Sequence, residues 1–307
     1  MSPAARTPAA VRASVTDRLK AQARQQGQND QRARRRFVMS RFLARIFDAD
    51  PYGWVLKGGV GMMVRLPHAR YSHDIDLLVT DETVDSIDEL SRIARDHHLD
   101  HFRFELTRPR RIAGDKGTTV TVTASLGGRP FDTFSIDIVT SRRPLVGAIE
   151  RHPLPRLIDT DDFTPEGTVQ LYPLADQIAD KLCALYETFG PTRRPSGRFR
   201  DLVDLLLISA YLPIDLEPAV AAVERERHLR NISAMPDTVV SPGPAWTTQW
   251  TATAKSSPLT TEHYDLDTAL TDAGRCYNRI LQSLPSADTP AVWEHRTSQW
   301  RENFSQQ

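Results

Sequence analysis

Apolar residues recur along this chain with two different periods, and the places where the period changes outline its organisation. Near the start, Phe37, Phe42, Leu43 and Ile46 keep close to helical spacing, and Arg32, Arg34, Arg35 and Arg36 crowd the entrance of that predicted helix. Residues 1–12 read as a loose start ahead of a polar helical stretch near 15–26. Val84, Ile87, Leu90 and Ile93 recur every three residues, with acids early and bases late as a helix dipole favours, and predict an amphipathic helix. Three β-rich runs follow, HFRFELT, TTVTVTASL and FDTFSIDIV, divided by Gly, Pro and charged residues. From Tyr172 the helical period returns in YPLADQIADKLCALYETF and RDLVDLLLISAYL, with GPTRRPSGRF between them. Residues 231–262 are rich in Ser, Thr and Pro without a sustained period and predict a long loop, after which helices over 266–284 and 291–303 close the pattern.

These elements predict an α/β (α+β) protein with a helical segment over 1–50, a domain with a mixed or antiparallel sheet over 51–165, and a mainly helical domain over 166–307. A chain of 307 residues, 40% of them apolar, can fill two packed halves. Basic and acidic residues balance at 39 each, so attraction to an anionic partner must come from local clusters. Cys183 and Cys276 lie far apart without metal-binding spacing, which argues against a zinc site or disulfide scaffold and fits a reducing cytoplasm. No apolar run approaches the ~20 residues of a membrane helix, and the start lacks the apolar stretch of a signal peptide, so a soluble cytoplasmic protein with no membrane partner is predicted.

The alternation in HDIDLLV puts Asp74 and Asp76 on one strand face and turns Ile75 and Leu77 to the core. Carboxylates two residues apart on a strand, with Cα atoms about 6.5 Å apart, can share one divalent cation or flank two; an isolated Asp-x-Asp is also a common solvated strand end. Asp137 lies between Ile136 and Ile138 in a second strand. Burying it unpaired is costly, and a cation shared with Asp74 and Asp76 would remove that cost. Gly58 and Gly59, after the apolar WVL, either bring backbone N–H groups up to an anion with Lys57 beside them or merely permit a turn. In the helical half, Lys181 interrupts the seam of Leu174, Ile178 and Leu185: its stem snorkels to solvent, or its ammonium faces a cleft. Asp201 stands where a carboxylate caps a helix, whereas Asp204, among Val203, Leu205, Leu206 and Leu207, needs a partner or a cleft.

The order of glycine turn, helix, Asp-x-Asp strand and lone strand aspartate resembles the polymerase-β-like nucleotidyltransferase fold. More narrowly, LKGG, Arg65, SHDIDL, IDIV, QIADKLCAL and RFRDLVDLL, in this order over about half the chain, resemble the AbiEii or MenT family of nucleotidyltransferase toxins from type IV toxin–antitoxin systems. The resemblance implies a catalytic domain over 51–165 that the helical domain completes. It implies metal-dependent transfer with Mg²⁺, two ions, on Asp74, Asp76 and Asp137, and a nucleoside triphosphate met by Lys57, Gly58, Gly59, Arg65, Ser72 and Lys181. Ser72 could equally make a strand-entry hydrogen bond. The second aspartate of the family's Asp-x-x-Asp corresponds to Asp204, with pairing to Lys181 as its alternative role. Gly59 departs from a serine common in the family, which leaves backbone groups to meet phosphate, and the last hundred or so residues carry no resemblance.

The resemblance further implies that a pyrimidine nucleotide is added to the 3′ end of tRNA, blocking aminoacylation and translation, and that an antitoxin partner is encoded alongside. Arg193, Arg194, Arg198 and Arg200, in an acid-free loop, offer a second basis for RNA contact, as do Arg32 to Arg36; such runs are also ordinary solvated faces. Two alternatives stand beside this reading: the same chemistry on a small-molecule or protein hydroxyl, and a non-catalytic nucleic-acid-binding module.

Overall fold

The computed structural model describes residues 6–66, 68–80, 85–97, 99–112, 117–140 and 144–302. It divides into two compact units, the first formed by Met1–Arg65, Tyr71–Arg143 and Ile149–Leu171, the second by Leu66–Arg70, Pro144–Ala148 and Tyr172–Gln307.

The first unit contains α1 (Pro8–Gln25), α2 (Asp30–Ala49), β1 (Trp54–Lys57), α3 (Gly58–Arg65), β2 (Asp74–Val79), α4 (Ser86–Asp96), β3 (Phe102–Arg111), β4 (Thr118–Leu126), β5 (Arg129–Thr140), β6 (Glu150–Pro153) and β7 (Thr168–Leu171). Its strands form one seven-stranded sheet in the order β3-β4-β5-β2-β1-β7-β6. The sheet is mixed: β2 runs parallel to β5 and β1 to β7, and the remaining neighbours are antiparallel. Alternation decides its faces. Val120, Val122 and Ala124 of β4 are buried, while the threonines between them line the other side.

Helix α2 buries Phe37, Phe42, Leu43 and Ile46, and Phe42 meets Phe104 and Phe134 edge to face at 5.2 and 5.5 Å between ring centres. The loose start predicted for 1–12 is overturned over 8–12: α1 begins at Pro8, with Thr7 capping the Ala10 amide. Val11, Val15, Leu19 and Ala23 form one wholly buried stripe at four-residue spacing, so Val11 already belongs to the core-facing seam. In α4, Leu90 and Ile93 are buried as their spacing predicts; Val84 lies outside the described residues.

Two arginines of α2 are also fully buried. Arg41 Nε donates to Asp100 at 2.8 Å and Arg45 Nη2 to the other carboxylate oxygen at 3.2 Å. Other guanidinium hydrogens reach main-chain carbonyls, Arg41 to Thr164 at 2.9 Å and Arg45 to Ala94 and Phe102 at 2.9 and 2.8 Å. Burial depresses the Arg45 pKa, while Asp100 works in the opposite direction.

The second unit contains α5 (Leu174–Tyr186), α6 (Phe199–Tyr211), β8 (Ile214–Asp215), α7 (Leu216–Leu229), α8 (Ala245–Lys255), α9 (Leu266–Gln282), β9 (Ala291–Glu294) and β10 (Gln299–Glu302). Two sequence expectations fail here. The loop predicted for 231–262 contains α8, whose Trp246, Trp250 and Ala254 recur every four residues and are buried. Trp246 Nε1 bonds the Ser196 carbonyl at 2.7 Å and Trp250 Nε1 the His263 carbonyl at 2.8 Å, so tertiary contacts hold a helix whose threonine-rich sequence favours it weakly. The helix predicted over 291–303 is instead the β9–β10 hairpin: Ala291 and Trp293 alternate inward, Ser298 at the turn takes φ 51°, and β9 also pairs with β8. Residue 303 lies outside the described residues. None of the described helices is long and apolar enough to cross a membrane.

Removing Asp100 strands two buried guanidinium groups. Asp100→Ala is expected to cost about 3–5 kcal/mol of stability, and Asp100→Asn, which keeps an acceptor, less; urea unfolding of both variants checks the order.

Candidate active site

Strand register builds one polar row across the first unit. Lys57 of β1 faces Asp76 of β2, Asp76 faces Asp137 of β5, Asp137 faces Thr119 of β4, and Thr119 faces Arg110 of β3. Asp74, two residues before Asp76, shares that face and stands opposite Ser135. Ile75 and Leu77 of β2, and Ile136 and Ile138 of β5, are buried on the opposite face. The parallel strands carrying Asp76 and Asp137 are adjacent, which places like charges at facing positions about 4.8 Å apart in strand spacing. Such a pair is unfavourable unless its charge is offset. Thr119 Oγ1 donates to Asp137 at 2.6 Å, and Lys57 stands at the facing position on the other side of Asp76.

The turn before α3 is fitted to the same carboxylate. Gly58 has φ +63°, and a Cβ there would lie 1.8 Å from Asp76 Oδ2. Both facts demand glycine: the left-handed conformation disfavours any side chain, and the aspartate occupies the space. Gly59 is buried within α3. At the far end of that helix, the nearly buried Arg65 donates to Glu150 at 2.6 Å. Burial would raise the Glu150 pKa, but Arg65 and His152 outweigh it and hold the carboxyl below its ordinary value. The Ser72 amide points to Met63 Sδ at 3.3 Å.

A second charged cluster lies within the second unit. Lys181 of α5 donates to Asp204 of α6 at 2.5 Å and to Asp201 at 3.2 Å. Arg70, from the short Leu66–Arg70 segment of this unit, approaches both oxygens of Asp204 at 2.9 Å. Asp204 is fully buried and Lys181 nearly so. Burial lowers the Lys181 pKa, yet Asp204 and Asp201 outweigh it and the pKa is raised overall. Asp201 therefore turns its carboxylate toward Lys181 at the start of α6. Arg193, Arg194, Arg198 and Arg200 are all exposed, the first two in a tight turn closed by pairing of Phe189 with Arg194.

With this geometry, comparison with known proteins becomes decisive. Residues 41–272 match the family described as the nucleotidyl transferase AbiEii toxin of type IV toxin–antitoxin systems. The chain belongs to the AbiEii family. Among solved structures it is similar to MenT4, a nucleotidyltransferase toxin from Mycobacterium tuberculosis H37Rv, at 18% identity and a TM-score of 0.52, over 82% of this chain and 81% of that one. That likeness concerns the fold. JHP933 from Helicobacter pylori aligns at 14% identity and a TM-score of 0.39 over 60% of this chain and 68% of its own. A nucleotidyltransferase structure from H. pylori aligns at 12% and 0.43 over 80% and 93%. No curated protein matches the sequence. For this AbiEii-family chain the mixed α/β architecture thus agrees with the nucleotidyltransferase fold expected from its motifs.

Two polar neighbours in these clusters escaped the sequence reading. Thr119 sits in an alternating TTVTVTASL run whose threonines look equivalent until the register selects one. Arg70 precedes the strand by four residues and nothing local marks it as the partner of Asp204. The upstream arginines are largely spent internally: Arg35 and Arg34 pair with Asp132 at 2.9 and 3.6 Å, and Arg32 lies over the Tyr71 ring.

Gly58→Ala is expected to abolish activity, because the new Cβ must displace Asp76 or the turn, while far-ultraviolet dichroism keeps its shape. The raised Lys181 pKa fixes a sign for stability. Its contribution is complete below the ordinary lysine value near 10.5 and is lost as pH rises through the higher folded-state value. Thermal unfolding between pH 9 and 12 should show this loss, and Asp204→Asn should weaken it.

Proposed function

We propose that this AbiEii-family protein transfers a nucleoside monophosphate from a nucleoside triphosphate, with preference for a pyrimidine nucleotide, to the 3′ end of tRNA. The observation that carries the reading is the facing pair Asp76 and Asp137, with Asp74 on the same face and the Gly58 backbone against Asp76. Three hard carboxylate donors on neighbouring strands suit Mg²⁺ in their chemistry. Among the described residues no group of three or more His, Cys, Asp or Glu converges tightly enough to hold a metal unaided. Mg²⁺ ordinarily takes one or two carboxylates and completes its shell with water and substrate phosphates, so the facing pair is a sufficient protein contribution. Asp76 and Asp137 would hold it, with Asp74 beside them for a second ion; when bound it supplies charge neutralisation at the phosphates.

The chain's own residues supply position. The α3 N-terminus presents main-chain N–H groups and Lys57 a positive charge to the triphosphate. Thr119 fixes the Asp137 carboxylate by donating to one of its oxygens. The acceptor oxygen forms a bond to the α-phosphorus, the bond from that phosphorus to the bridging oxygen breaks, pyrophosphate leaves and the hydroxyl proton is released. The family resemblance assigns Lys181 to phosphate and gives Asp204 a functional place, and both roles are part of the proposal together with Arg65 and Ser72. The exposed Arg193, Arg194, Arg198 and Arg200 are proposed to track RNA phosphates. The type IV system supports an antitoxin partner and action in the cytoplasm.

Incubation with Mg²⁺, each labelled nucleoside triphosphate and total RNA tests this reading. Label should enter tRNA, and Asp74→Ala, Asp76→Ala or Asp137→Ala should reduce transfer at least about a thousandfold. Wild-type activity in Asp76→Ala, or labelling of a small molecule or protein instead, would overturn it. Replacing the four arginines with Gln should weaken RNA binding and flatten its dependence on salt.

A further inference from the structure

The polar row of the first unit carries a cation at each end, Lys57 on β1 and Arg110 on β3, with Asp76, Asp137 and Thr119 between them. Arg110 reaches this row through an irregularity in β3. Thr107 faces Thr121 and Arg110 faces Thr119, so three steps along β3 match two along β4, a bulge of one extra residue. In unbroken pairing Pro109 would stand opposite Thr119, and Arg110 would turn to the apolar face. The extra residue falls at Arg108 and Pro109, and Arg108 takes φ 58°, a left-handed conformation that residues other than glycine seldom adopt. β3 thus holds an unfavourable backbone angle at the place where its arginine joins the carboxylates.

The sheet face beside this row is open. A second row, Asp74, Ser135, Thr121 and Thr107, runs next to the first across β2, β5, β4 and β3, and each of its residues is exposed or half-buried. Helices α1, α2 and α4 bury their apolar residues on the opposite face, with Phe104, Val122 and Phe134. The Arg110 guanidinium is exposed and makes no ion pair or hydrogen bond with a described side chain. Charge on β3 is one-sided, with Arg103, Arg108, Arg110 and Arg111 against Glu105. Bulge, proline and arginines all discourage another strand from pairing with the β3 edge, so β3 offers its face and not its edge.

We propose that this face receives the acceptor strand, with Arg110 on the phosphodiester next to the 3′-terminal nucleotide and the Thr121 and Ser135 hydroxyls along the sugar-phosphate backbone. This placement rests on the transfer reaction proposed above and gives it a direction. In-line transfer puts the attacking hydroxyl and the leaving pyrophosphate on opposite sides of the α-phosphorus. With Lys57 and the Gly58 turn meeting the triphosphate at the β1 end, the acceptor enters from the β3 end, where Arg110 supplies the complementary charge. Guanidinium and phosphate pair through two parallel hydrogen bonds. Arg110 stands two strand spacings from Asp137, roughly 10 Å, and so holds the strand behind the reacting hydroxyl. It positions the acceptor and takes no part in the bond exchange.

Steady-state transfer of labelled nucleotide to tRNA by the full chain, with tRNA and nucleoside triphosphate varied separately, tests the assignment. Arg110→Gln should raise KM for tRNA about ten- to a hundredfold, while kcat and KM for the triphosphate stay unchanged. The logarithmic dependence of tRNA binding on salt should flatten by about 0.7, the share of one lost phosphate contact. An unchanged KM for tRNA, or an equal rise for the triphosphate, overturns the placement and leaves the transfer reaction standing. No transfer to RNA by the unaltered chain overturns both. Should Arg110→Gln lose its fold by circular dichroism, Thr121→Val decides: KM for tRNA should rise about three- to tenfold, and an unchanged value overturns the placement.

Discussion

The parallel register between β2 and β5 is the constraint on which the first unit's chemistry depends. It sets Ile75 against Ile136 and Leu77 against Ile138, all buried. Each such side chain contributes roughly 1.5–3 kcal/mol when removed from water. Repulsion between facing carboxylates costs at most about 1 kcal/mol per pair. The apolar face therefore wins by a wide margin, and the carboxylates stand where alternation leaves them. A slip of one residue would bury Asp74 and Asp76 and expose the isoleucines, so nothing near the native energy competes with this arrangement.

Charge is handled differently in the two units, but by the same principle. In the first, Arg41 and Arg45 close on Asp100; in the second, Lys181 and Arg70 close on Asp204. Such buried clusters add little net stability compared with apolar packing, because the desolvation cost is large. Breaking them is expensive, and that asymmetry is what locks geometry. Asp204, at a position where a helix surrounded by leucines tolerates one polar strip, is held from two sides, and the Lys181 ammonium is fixed by two carboxylates. The upstream arginines show the cost of reading charge from sequence alone: a run that resembles a phosphate track resolves into pairs with Asp132, a stack on Tyr71 and one half-buried side chain.

Strong periodicity was legible before the fold was known. The α2 seam, the inward Ile75 and Leu77, and the strand placement of Asp137 all follow from spacing, because packing on one face enforces a period. The misses lie where long-range contacts override local preference. Helix α8 is stabilised by indoles reaching Ser196 and His263, and threonine-rich sequence conceals it; the three-residue gap between Trp246 and Trp250 was the available signal. The β9–β10 hairpin is short enough for AVWE to fit either period, and pairing with β8 decides it. Thr119 and Arg70 could not be found from spacing, since each acquires its partner only through register or through a segment that joins another unit's core.

Gly58 shows how this site differs in kind from one built on side-chain hydroxyls. The Asp76 carboxylate occupies the volume where a Cβ would stand, so backbone and carboxylate are in direct contact at the start of α3. A helix N-terminus carries roughly half a positive charge, which favours a carboxylate in that place. Gly59 follows with no side chain, buried in the helix. The turn thus offers only main-chain groups, which cannot swing away or be titrated, and their position is fixed by the β1–β2 register that sets Lys57 opposite Asp76. Charge balance at this end of the row therefore rests on the backbone path together with Lys57, and both keep their places for as long as the buried apolar face holds the strands in register.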